Sequence, residues 1–574
     1  MRMLSGLTLV AVAVAAVSAL ADSRGVSKAE YLDLMEDAVS AYSNDHIEDY
    51  ISQVERDGVQ EHGFPRLTSN LGVLVANGRA EGRRELFRRM MTVACRDAAK
   101  GKMKLEGNEF SVKELAIALV ALEKSKAFDK PTTDAWRADL SRIDAKRCYT
   151  CQPKPGAERA YNWCVFGCAS EQARIAAGLG GDSGFVERYV SDQLRWFDAN
   201  GMYRDPGQPA VYDFVTRLQF MWVLHCGYAG PSRARLAEML EKSAEPTLAM
   251  LSASGEIPYG GRSNQFLHNN LFYAAVCEWY AAQARAKGDA RDAARFALAA
   301  REAVDAVKPW LKVRPVRHVK NLYPRREGVR ESGVGCEKYA YFDKYMVTMG
   351  SWAMMAHAFA EENPGAVAPS DGAPSSFATS QEFHLAFLRA GEYSAQFDYN
   401  ADTHYDCDGL GRVQRRGAPG AICMSVPCAA KPNYRIEMPN SRSLAIAPAT
   451  GEKLELKGSG HDASCAWADW KAGALDWNCR LDQNGLKSVL SGEGDLAIAL
   501  PAFAFDGEKD TAVSCDGKRL SIRYGGWECL YETDGAIVDT GDVCCNRNGR
   551  YRVFEARGLG RLGVAVSIRR IPLD

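Results

Sequence analysis

The segment Asn363-Pro-Gly-Ala-Val-Ala-Pro-Ser-Asp-Gly-Ala-Pro-Ser-Ser376 separates two parts of the chain that differ in hydrophobic period. Its Pro, Gly, Ser and Ala content is typical of a linker between domains. From about residue 27 to about residue 360 apolar residues recur at helical spacing, whereas after the segment they alternate with a period of two. The segment therefore predicts a helical domain at 22–362, a linker at 363–376 and a sheet domain at 377–574.

The part before the linker contains amphipathic helices. Leu115, Leu119 and Leu122 fall on one face of a predicted helix. Three further segments rich in Ala, Leu, Glu, Lys and Arg predict helices: 232–250, 271–287 and 290–311. The loops between them carry aromatic and charged side chains as well as Gly and Pro, which favours a functional role for the loops. We therefore expect helical hairpins with a site at their connections.

The part after the linker contains short strands. Apolar and smaller or polar residues alternate between positions 562 and 568, and turn pairs such as Asp506-Gly507 lie between the runs. This pattern predicts an antiparallel sheet domain of nearly 200 residues.

The overall charge excludes one large class of function. The 574 residues include 71 Lys and Arg against 72 Asp and Glu, and 47% are hydrophobic. A balanced charge lacks the basic surface of a nucleic-acid binder, and this apolar fraction is that of a globular protein. We expect no nucleic-acid partner.

Residues 1–21 have the pattern of a secretory signal peptide. An arginine precedes an apolar run from 7 to 20, and Ala19-Leu20-Ala21 is a small-x-small cleavage site. The run is too short for a membrane span, and no cysteine for a lipid anchor lies beside it. We expect a secreted or periplasmic, soluble protein without a membrane span.

The 17 cysteines suggest disulfides if the chain is exported. The spacing of Cys148, Cys151, Cys164 and Cys168 also fits zinc, with disulfides or buried thiols as the alternatives. Two bridges across hairpins are expected in the sheet domain: Cys465 with Cys479, and Cys515 with Cys529. The segment 404–411 has acidic residues at alternate positions but lacks the spacing of a calcium loop. We expect no obligatory cofactor, with a structural Zn or Ca ion as the alternative.

Several turns carry side chains suited to a sugar. Asn162 offers an amide for a carboxylate or hydroxyl, and Trp163 offers a flat apolar face. The alternative is an asparagine at a helix start beside a core tryptophan. Tyr341 and the pair His62 and Arg66 are further candidates for a cleft, or for ordinary packing at helix starts.

The segment 198–217 brings a phenol, carboxylates and a guanidinium within about two helical turns. Its candidates for substrate binding are Tyr203, Asp205 and Arg217, and Tyr212 adds a second phenol at the start of the following helix. The alternative is a hydrogen-bonded loop in which Asp205 or Asp213 caps a helix.

The segment 260–270 is the most polar entry to a helix in the chain. Two glycines allow a close approach of the backbone, and Arg262, Asn264, His268 and Asn269 follow them. Such a density of polar groups favours binding or catalysis over a role in the core.

In the order of its domains and in these motifs, the chain resembles secreted polysaccharide lyases built from an α/α toroid and a β-sandwich. The chondroitin AC/hyaluronate lyases and the heparinase II/III-like enzymes are the comparisons. The resemblance implies that Asn162 and Arg262 neutralise a uronate carboxylate and that Tyr212 moves protons. The loop before Tyr212 contains no histidine, so His268 or Tyr212 itself is expected to be the base.

Two other functions remain open on the sequence. A toroidal glycoside hydrolase acting on glucuronides would use two carboxylates, for which Asp205, Asp213 and Glu337 are available. A non-catalytic glycan-binding protein would use the Trp-rich segment 467–477, whose alternative is a sandwich core. The expected partner in each case is a polysaccharide or oligosaccharide, and the near-zero net charge requires local recognition of an acidic one, for example through Arg262.

Overall fold

The computed structural model describes residues 24–101, 103–150, 161–314, 316–320, 323, 337, 339–367, 372–430 and 443–572. These residues form a helical part followed by two antiparallel sheets, which confirms the predicted fold class. The predicted leader lies outside the described residues. Among the residues described, no helix has the length and apolar character needed to cross a membrane.

The helices are α1 (Lys28–Ser40), α2 (Asn44–Asp57), α3 (Gly63–Ala76), α4 (Arg84–Lys100), α5 (Val112–Ser125), α6 (Lys130–Ser141), α7 (Ala145–Cys148), α8 (Asn162–Ala176), α9 (Ser183–Gln193), α10 (Ala210–His225), α11 (Arg233–Lys242), α12 (Ala244–Ala249), α13 (Leu267–Lys287), α14 (Ala290–Asp305), α15 (Lys308–Leu311) and α16 (Phe342–Phe359). Short 3-10 turns lie at Glu81–Arg83, Asn108–Phe110, Leu194–Trp196 and Gly420–Cys423.

Six helices form a closed inner ring. Helix α3 packs on α5, α5 on α8, α8 on α10, α10 on α13, α13 on α16, and α16 returns to α3. Most residues of α3, α10 and α13 are buried on every side, as expected for helices enclosed by other helices. Helices α4, α6, α9 and α14 lie outside the ring and bury one face each. This arrangement is an α/α toroid.

Side-chain caps fix where several outer helices begin. Ser27 and Glu30 form a capping box at the start of α1, and Asp129, Asp182 and Asp289 accept hydrogen bonds from backbone N–H groups of α6, α9 and α14. Each cap satisfies a donor that a helix start leaves without an intrahelical partner.

The strands form two sheets. The first contains β1 (Ser375–Ala378), β2 (Leu385–Ala390), β3 (Tyr393–Asp398) and β4 (Gly409–Arg415) in that order. The second contains β5 (Ala447–Pro448), β6 (Leu454–His461), β7 (Ala466–Ala472), β8 (Leu475–Asp482), β9 (Gly485–Phe505), β10 (Ala512–Cys515), β11 (Arg519–Tyr524), β12 (Trp527–Thr533), β13 (Ala536–Asn546) and β14 (Gly549–Arg570). Its main path is β10-β11-β12-β14-β9-β8-β7-β6, with β13 on β14 and β5 on β9.

The two sheets share one core and therefore form a sandwich. Phe397 of the first sheet lies 5.0 Å from Trp470 and 5.8 Å from Trp477 of the second, measured between ring centroids. Both tryptophans are buried. The Trp-rich segment is thus mainly core, which removes the observation that favoured a non-catalytic glycan-binding surface there.

The first sheet docks on a loop of the toroid. Gln396 on β3 donates from Nε2 to the Tyr259 carbonyl at 2.7 Å, and Arg412 on β4 donates to the Ile257 carbonyl at 2.9 Å. The N–H of Gly261 donates to Asp406 Oδ2 at 3.0 Å. The sheet domain therefore holds the segment that leads into Arg262.

The expected disulfides are not present in this structure. No disulfide joins any of the described cysteines. Cys515 on β10 and Cys529 on β12 are separated by β11, and Cys479 on β8 pairs in register with Ala468, whereas Cys465 lies before β7. Cys148, Cys164 and Cys168 are buried, Cys151 lies outside the described residues, and no group of metal ligands is found within the described ranges.

Candidate active site

Asp205 ties together two residues that the sequence assigned to carboxylate binding. Its Oδ1 accepts from the Nδ2 of Asn162 at 2.9 Å, and its Oδ2 accepts from the Nη2 of Arg262 at 2.5 Å. Asn162 is the first residue of α8, whereas Asp205 lies in the loop before α10 and Arg262 in the loop before α13. Three consecutive inner helices thus contribute to one cluster.

Arg262 also lies against Tyr212. Its guanidinium carbon is 4.2 Å from the centroid of the Tyr212 ring, and its Nη1 donates to the Pro206 carbonyl at 2.7 Å. Burial would lower the pKa of Arg262, but Tyr212 and Asp205 outweigh burial and raise it. Arg262 is therefore a fixed positive charge beside a partly exposed phenol.

Ser263 brings a hydroxyl to the same phenol. Its Oγ lies 3.5 Å from the Tyr212 hydroxyl and is also hydrogen-bonded to the hydroxyl of Tyr339. Its N–H donates to Glu337 Oε1 at 2.8 Å. Three hydroxyl groups therefore meet next to Arg262.

His268 lies in a stack of rings that continues from this cluster. The ring centroids of Phe266 and Tyr345 are each 5.3 Å from that of His268, and the Tyr339 and Tyr345 centroids are 6.0 Å apart. Burial, with smaller contributions from Arg66 and other histidines, holds the pKa of His268 well below its ordinary value. His268 is therefore neutral, and its Nδ1 has no hydrogen-bond partner within the described part of the chain.

His62 and Arg66 lie one turn apart at the start of α3. His62 Nδ1 is 2.5 Å from Glu106 Oε1, and burial lowers the pKa of His62 to about 4 despite that carboxylate. Arg66 donates to Glu114 at 3.1 Å and to Thr348 at 2.9 Å. Both residues are buried, and their hydrogen bonds join α3 to neighbouring segments of the ring.

Three exposed aromatic side chains lie close in sequence to Asn162 or Tyr339. Trp163 and Tyr341 are 40% and 51% exposed, and Tyr161 is 49% exposed. Trp163 rests edge-on against Phe110, with ring centroids 5.3 Å apart. Exposed ring faces of this kind are suited to stacking on sugars.

Comparisons with known proteins find a likeness in structure. No family model matches the chain, and no curated protein matches it. A solved structure titled "Crystal Structure of Heparinase III" matches with a TM-score of 0.49 and 10% sequence identity, over 88% of this chain and 77% of that one. This chain is similar in structure to heparinase III. At this TM-score and identity the likeness transfers no residue roles.

Seven of the nine residues expected to bind substrate are buried: Asp205, His62 and Arg66, described above, and the four that follow. Arg217 has no exposed surface and pairs with Asp213 through two hydrogen bonds of 2.8 and 2.6 Å, which corrects the expectation that it contacts substrate. The Tyr203 hydroxyl donates to Gln193. Asn264 and Asn269 donate to carbonyls of the loop that carries Arg262, at 2.8 and 2.7 Å, and so shape that loop.

The carboxylates that a hydrolase would need are already paired. Asp205 binds Arg262, Asp213 binds Arg217, and Glu337 accepts from Arg547 at 2.6 Å. All three are buried. The structure therefore offers no exposed pair among the carboxylates considered from the sequence.

Ser263 and Glu337 are site residues whose roles the sequence did not reveal. Ser263 lies in the polar segment that the sequence did single out, so its position next to Arg262 was the available signal. Glu337 binds its backbone from a distant part of the chain, and no local pattern marks such a contact.

Proposed function

We propose that this protein is a lyase that cleaves a uronic-acid-containing polysaccharide by β-elimination. The observation that carries the proposal is the cluster in which Asp205 holds Asn162 and Arg262 while Arg262 stacks on Tyr212. It brings hydrogen-bond donors of the kind that bind a carboxylate next to a phenol.

The chemistry explains why these groups belong together. Removal of the C5 proton puts further negative charge on a uronate that is already anionic. Hydrogen-bond donors and a cation that are fixed in place stabilise that charge as it develops. Asn162 and Arg262 supply these donors.

Tyr212 is the proposed base and acid. Its phenolate takes the C5 proton, the electron pair of the C5–H bond forms the C4–C5 double bond, and the C4–O bond breaks. The same phenol then returns the proton to the leaving oxygen, which restores the phenolate. We assign this role to Tyr212 because it is partly exposed, whereas His268 is enclosed between Phe266 and Tyr345.

Incubation with alginate, glucuronan, glycosaminoglycans and pectin tests the proposal. We expect one of these to yield unsaturated uronate ends, detected by their ultraviolet absorbance. Tyr212→Phe should lower kcat/KM by about 100-fold or more, because it removes general acid-base catalysis. Tyr524→Phe is the matched control, since that tyrosine is also partly exposed but lies on β11 of the second sheet, outside the cluster.

New reducing ends without unsaturated products would contradict the proposal and indicate hydrolysis. Binding to a uronate polymer without turnover would indicate a glycan-binding protein instead.

We also propose that residues 1–21 direct export and are removed. The support is the sequence pattern alone. The amino-terminal sequence of the exported protein should begin at Asp22, and recovery of the intact leader would contradict this.

A further inference from the structure

Ser263 is held in an unusual backbone conformation. Its φ is +68°, in the left-handed region that residues other than glycine, asparagine and aspartate seldom adopt. Its N–H donates to Glu337 and its carbonyl accepts from Asn269 Nδ2 at 2.7 Å, so the backbone is fixed on both sides. Such strain persists where the surroundings over-determine the conformation, often at functional sites.

The conformation places one hydroxyl between two phenols. Ser263 is 5% exposed, with Tyr339 on one side of its hydroxyl and Tyr212 on the other. Burial, followed by the nearby Tyr212 and Glu337, raises the pKa of Tyr339 far above its ordinary value. Tyr339 therefore keeps its proton, and because the Ser263 hydroxyl donates towards Tyr212, the Tyr339 hydroxyl is the donor to Ser263 Oγ. The Ser263 proton is then directed at Tyr212, 3.5 Å away.

We propose that Tyr339 and Ser263 form a hydroxyl relay that stabilises the phenolate of Tyr212. The inference rests on the proposed function, and the two are positioning residues because they act through Tyr212. Successive hydrogen bonds polarise one another, so a donor that itself accepts a hydrogen bond stabilises an anion better than an isolated hydroxyl. The strain at Ser263 is retained because glycine would relax the backbone but remove the relay.

Other charged and titratable groups lie around Tyr212 and the residues that contact it. They come from the loop before α10, the loop before α13, the segment before α16 and α16 itself: Asp205, Arg262, Glu337, Tyr339 and Tyr345. By Coulomb's law, a nearby cation favours the charged form of a phenol and a nearby carboxylate opposes it. The relay adds its stabilisation to that from the charge of Arg262. The variants that test the relay must therefore leave Arg262 unchanged.

The test compares Ser263→Ala, Ser263→Gly and Tyr339→Phe with the unaltered protein. Each variant should lower kcat by about 10- to 100-fold and change KM little, because a hydrogen bond to a charged group is lost. The acid limb of the kcat/KM profile should move to higher pH by about one unit. The double variant Ser263→Ala with Tyr339→Phe should lose much less than the product of the single losses.

Lys126→Gly is the control for backbone strain. Lys126 is exposed at the end of α5, far from the cluster in sequence, and has a φ of +57°. Lys126→Gly should unfold at slightly higher urea concentration, whereas in Ser263→Gly the relief of strain is offset because the buried Tyr339 hydroxyl loses its partner. Only Ser263→Gly should lose activity. Wild-type kcat and an unmoved pH profile in Ser263→Ala would overturn the relay.

A measurement without substrate separates the relay from the reaction. NMR of ring-labelled tyrosine, with the Tyr212 signal assigned by Tyr212→Phe, follows ionisation of that phenol directly. In Ser263→Ala the Tyr212 signal should titrate at higher pH than in the unaltered protein. A shift without any lyase activity would reject the reaction and keep the relay, whereas lyase activity with no shift would reject the relay alone.

Discussion

At the scale of single residues, Asp205 decides the arrangement of the candidate site. It is buried, and each of its carboxylate oxygens accepts from a residue on a different inner helix or loop. It binds no substrate in the proposed reaction. Its role is to fix Asn162 and Arg262 before substrate arrives, so that no reorganisation is needed when charge develops.

Asp205→Asn should weaken catalysis more than folding. The amide keeps the size of the side chain but loses the charge that holds the guanidinium of Arg262, so we expect kcat/KM to fall by about 10- to 100-fold. Glu382→Gln is the matched control, because Glu382 also accepts from an arginine, Arg204 at 2.9 Å, but is exposed. Steady-state kinetics with urea unfolding measure both effects, and equal activity in the two variants would contradict the assignment.

The sequence predicts candidate residues by their chemistry but not the partners that hold them. Asn162, Tyr212 and Arg262 were chosen for their chemistry, and they do come together. Arg217 was chosen by the same criterion, but Asp213 lies four residues before it on the same helix, a spacing that favours ion pairs. The sequence alone therefore shows that Arg217 can pair with Asp213 within its own helix. This pairing is a better guide to the position of Arg217 than its closeness to Tyr212 in the sequence.

At the scale of elements, the turn from Gly260 to Phe266 carries Arg262 and Ser263 and contacts the sheet domain. Gly261, Ser263 and Gln265 all have positive φ, at 73°, 68° and 61°. This alternation turns successive side chains in different directions. Ser263 thereby reaches Tyr212, while the Gln265 amide donates to Ser425 of the sheet domain at 2.6 Å.

Gly261→Ala should disrupt this turn. A Cβ at Gly261 would lie 2.9 Å from Pro209 Cβ, in addition to the strain of a φ of +73°. We expect a loss of about 2 to 3 kcal/mol in the free energy of unfolding, with reduced activity. Gly78→Ala shares the positive φ but meets no atom within 4 Å, so it should lose only about 1 kcal/mol. Urea unfolding measures both, and equal losses would show that the contact with Pro209 is unimportant.

Helix boundaries show what periodicity can and cannot predict. The helix predicted at 290–311 is two helices, α14 and α15, because Pro309 begins a new helix at its first turn. The one predicted at 232–250 breaks at Ser243, shortly before Pro246. The sequence pattern predicts short strands, but β9 and β14 contain 21 and 22 residues. Their length depends on their pairing with each other, which no local pattern shows.

At the scale of the whole molecule, buried histidines make the toroid sensitive to acid. Burial lowers the pKa of His318 to about 4, and its Nε2 hydrogen-bonds the Ala340 carbonyl at 2.8 Å. His62 is lowered to about 4 as well. Between that value and the ordinary 6.5, the unfolded chain binds the proton and the folded chain does not, so stability falls as the pH falls.

The contribution of His318 to the free energy of unfolding is present in full above pH about 6.5. As the pH falls to about 4, that free energy decreases by about 3 kcal/mol. His318→Gln removes the titrating group and keeps an N–H donor. The difference in unfolding free energy between pH 7 and pH 4, measured in urea, should therefore be smaller in His318→Gln by about this amount. An unchanged difference would contradict the neutral state of His318.

The closed ring also has a consequence for biosynthesis. The contact of α16 with α3 joins helices that are far apart in the chain, and α1 packs on α16 as well. A nascent chain presents the apolar flank of α3 long before α16 has left the ribosome, because synthesis proceeds from the amino terminus. Until α16 is available, that apolar flank of α3 lacks its native contact. We therefore expect chaperones to bind the incomplete toroid during synthesis.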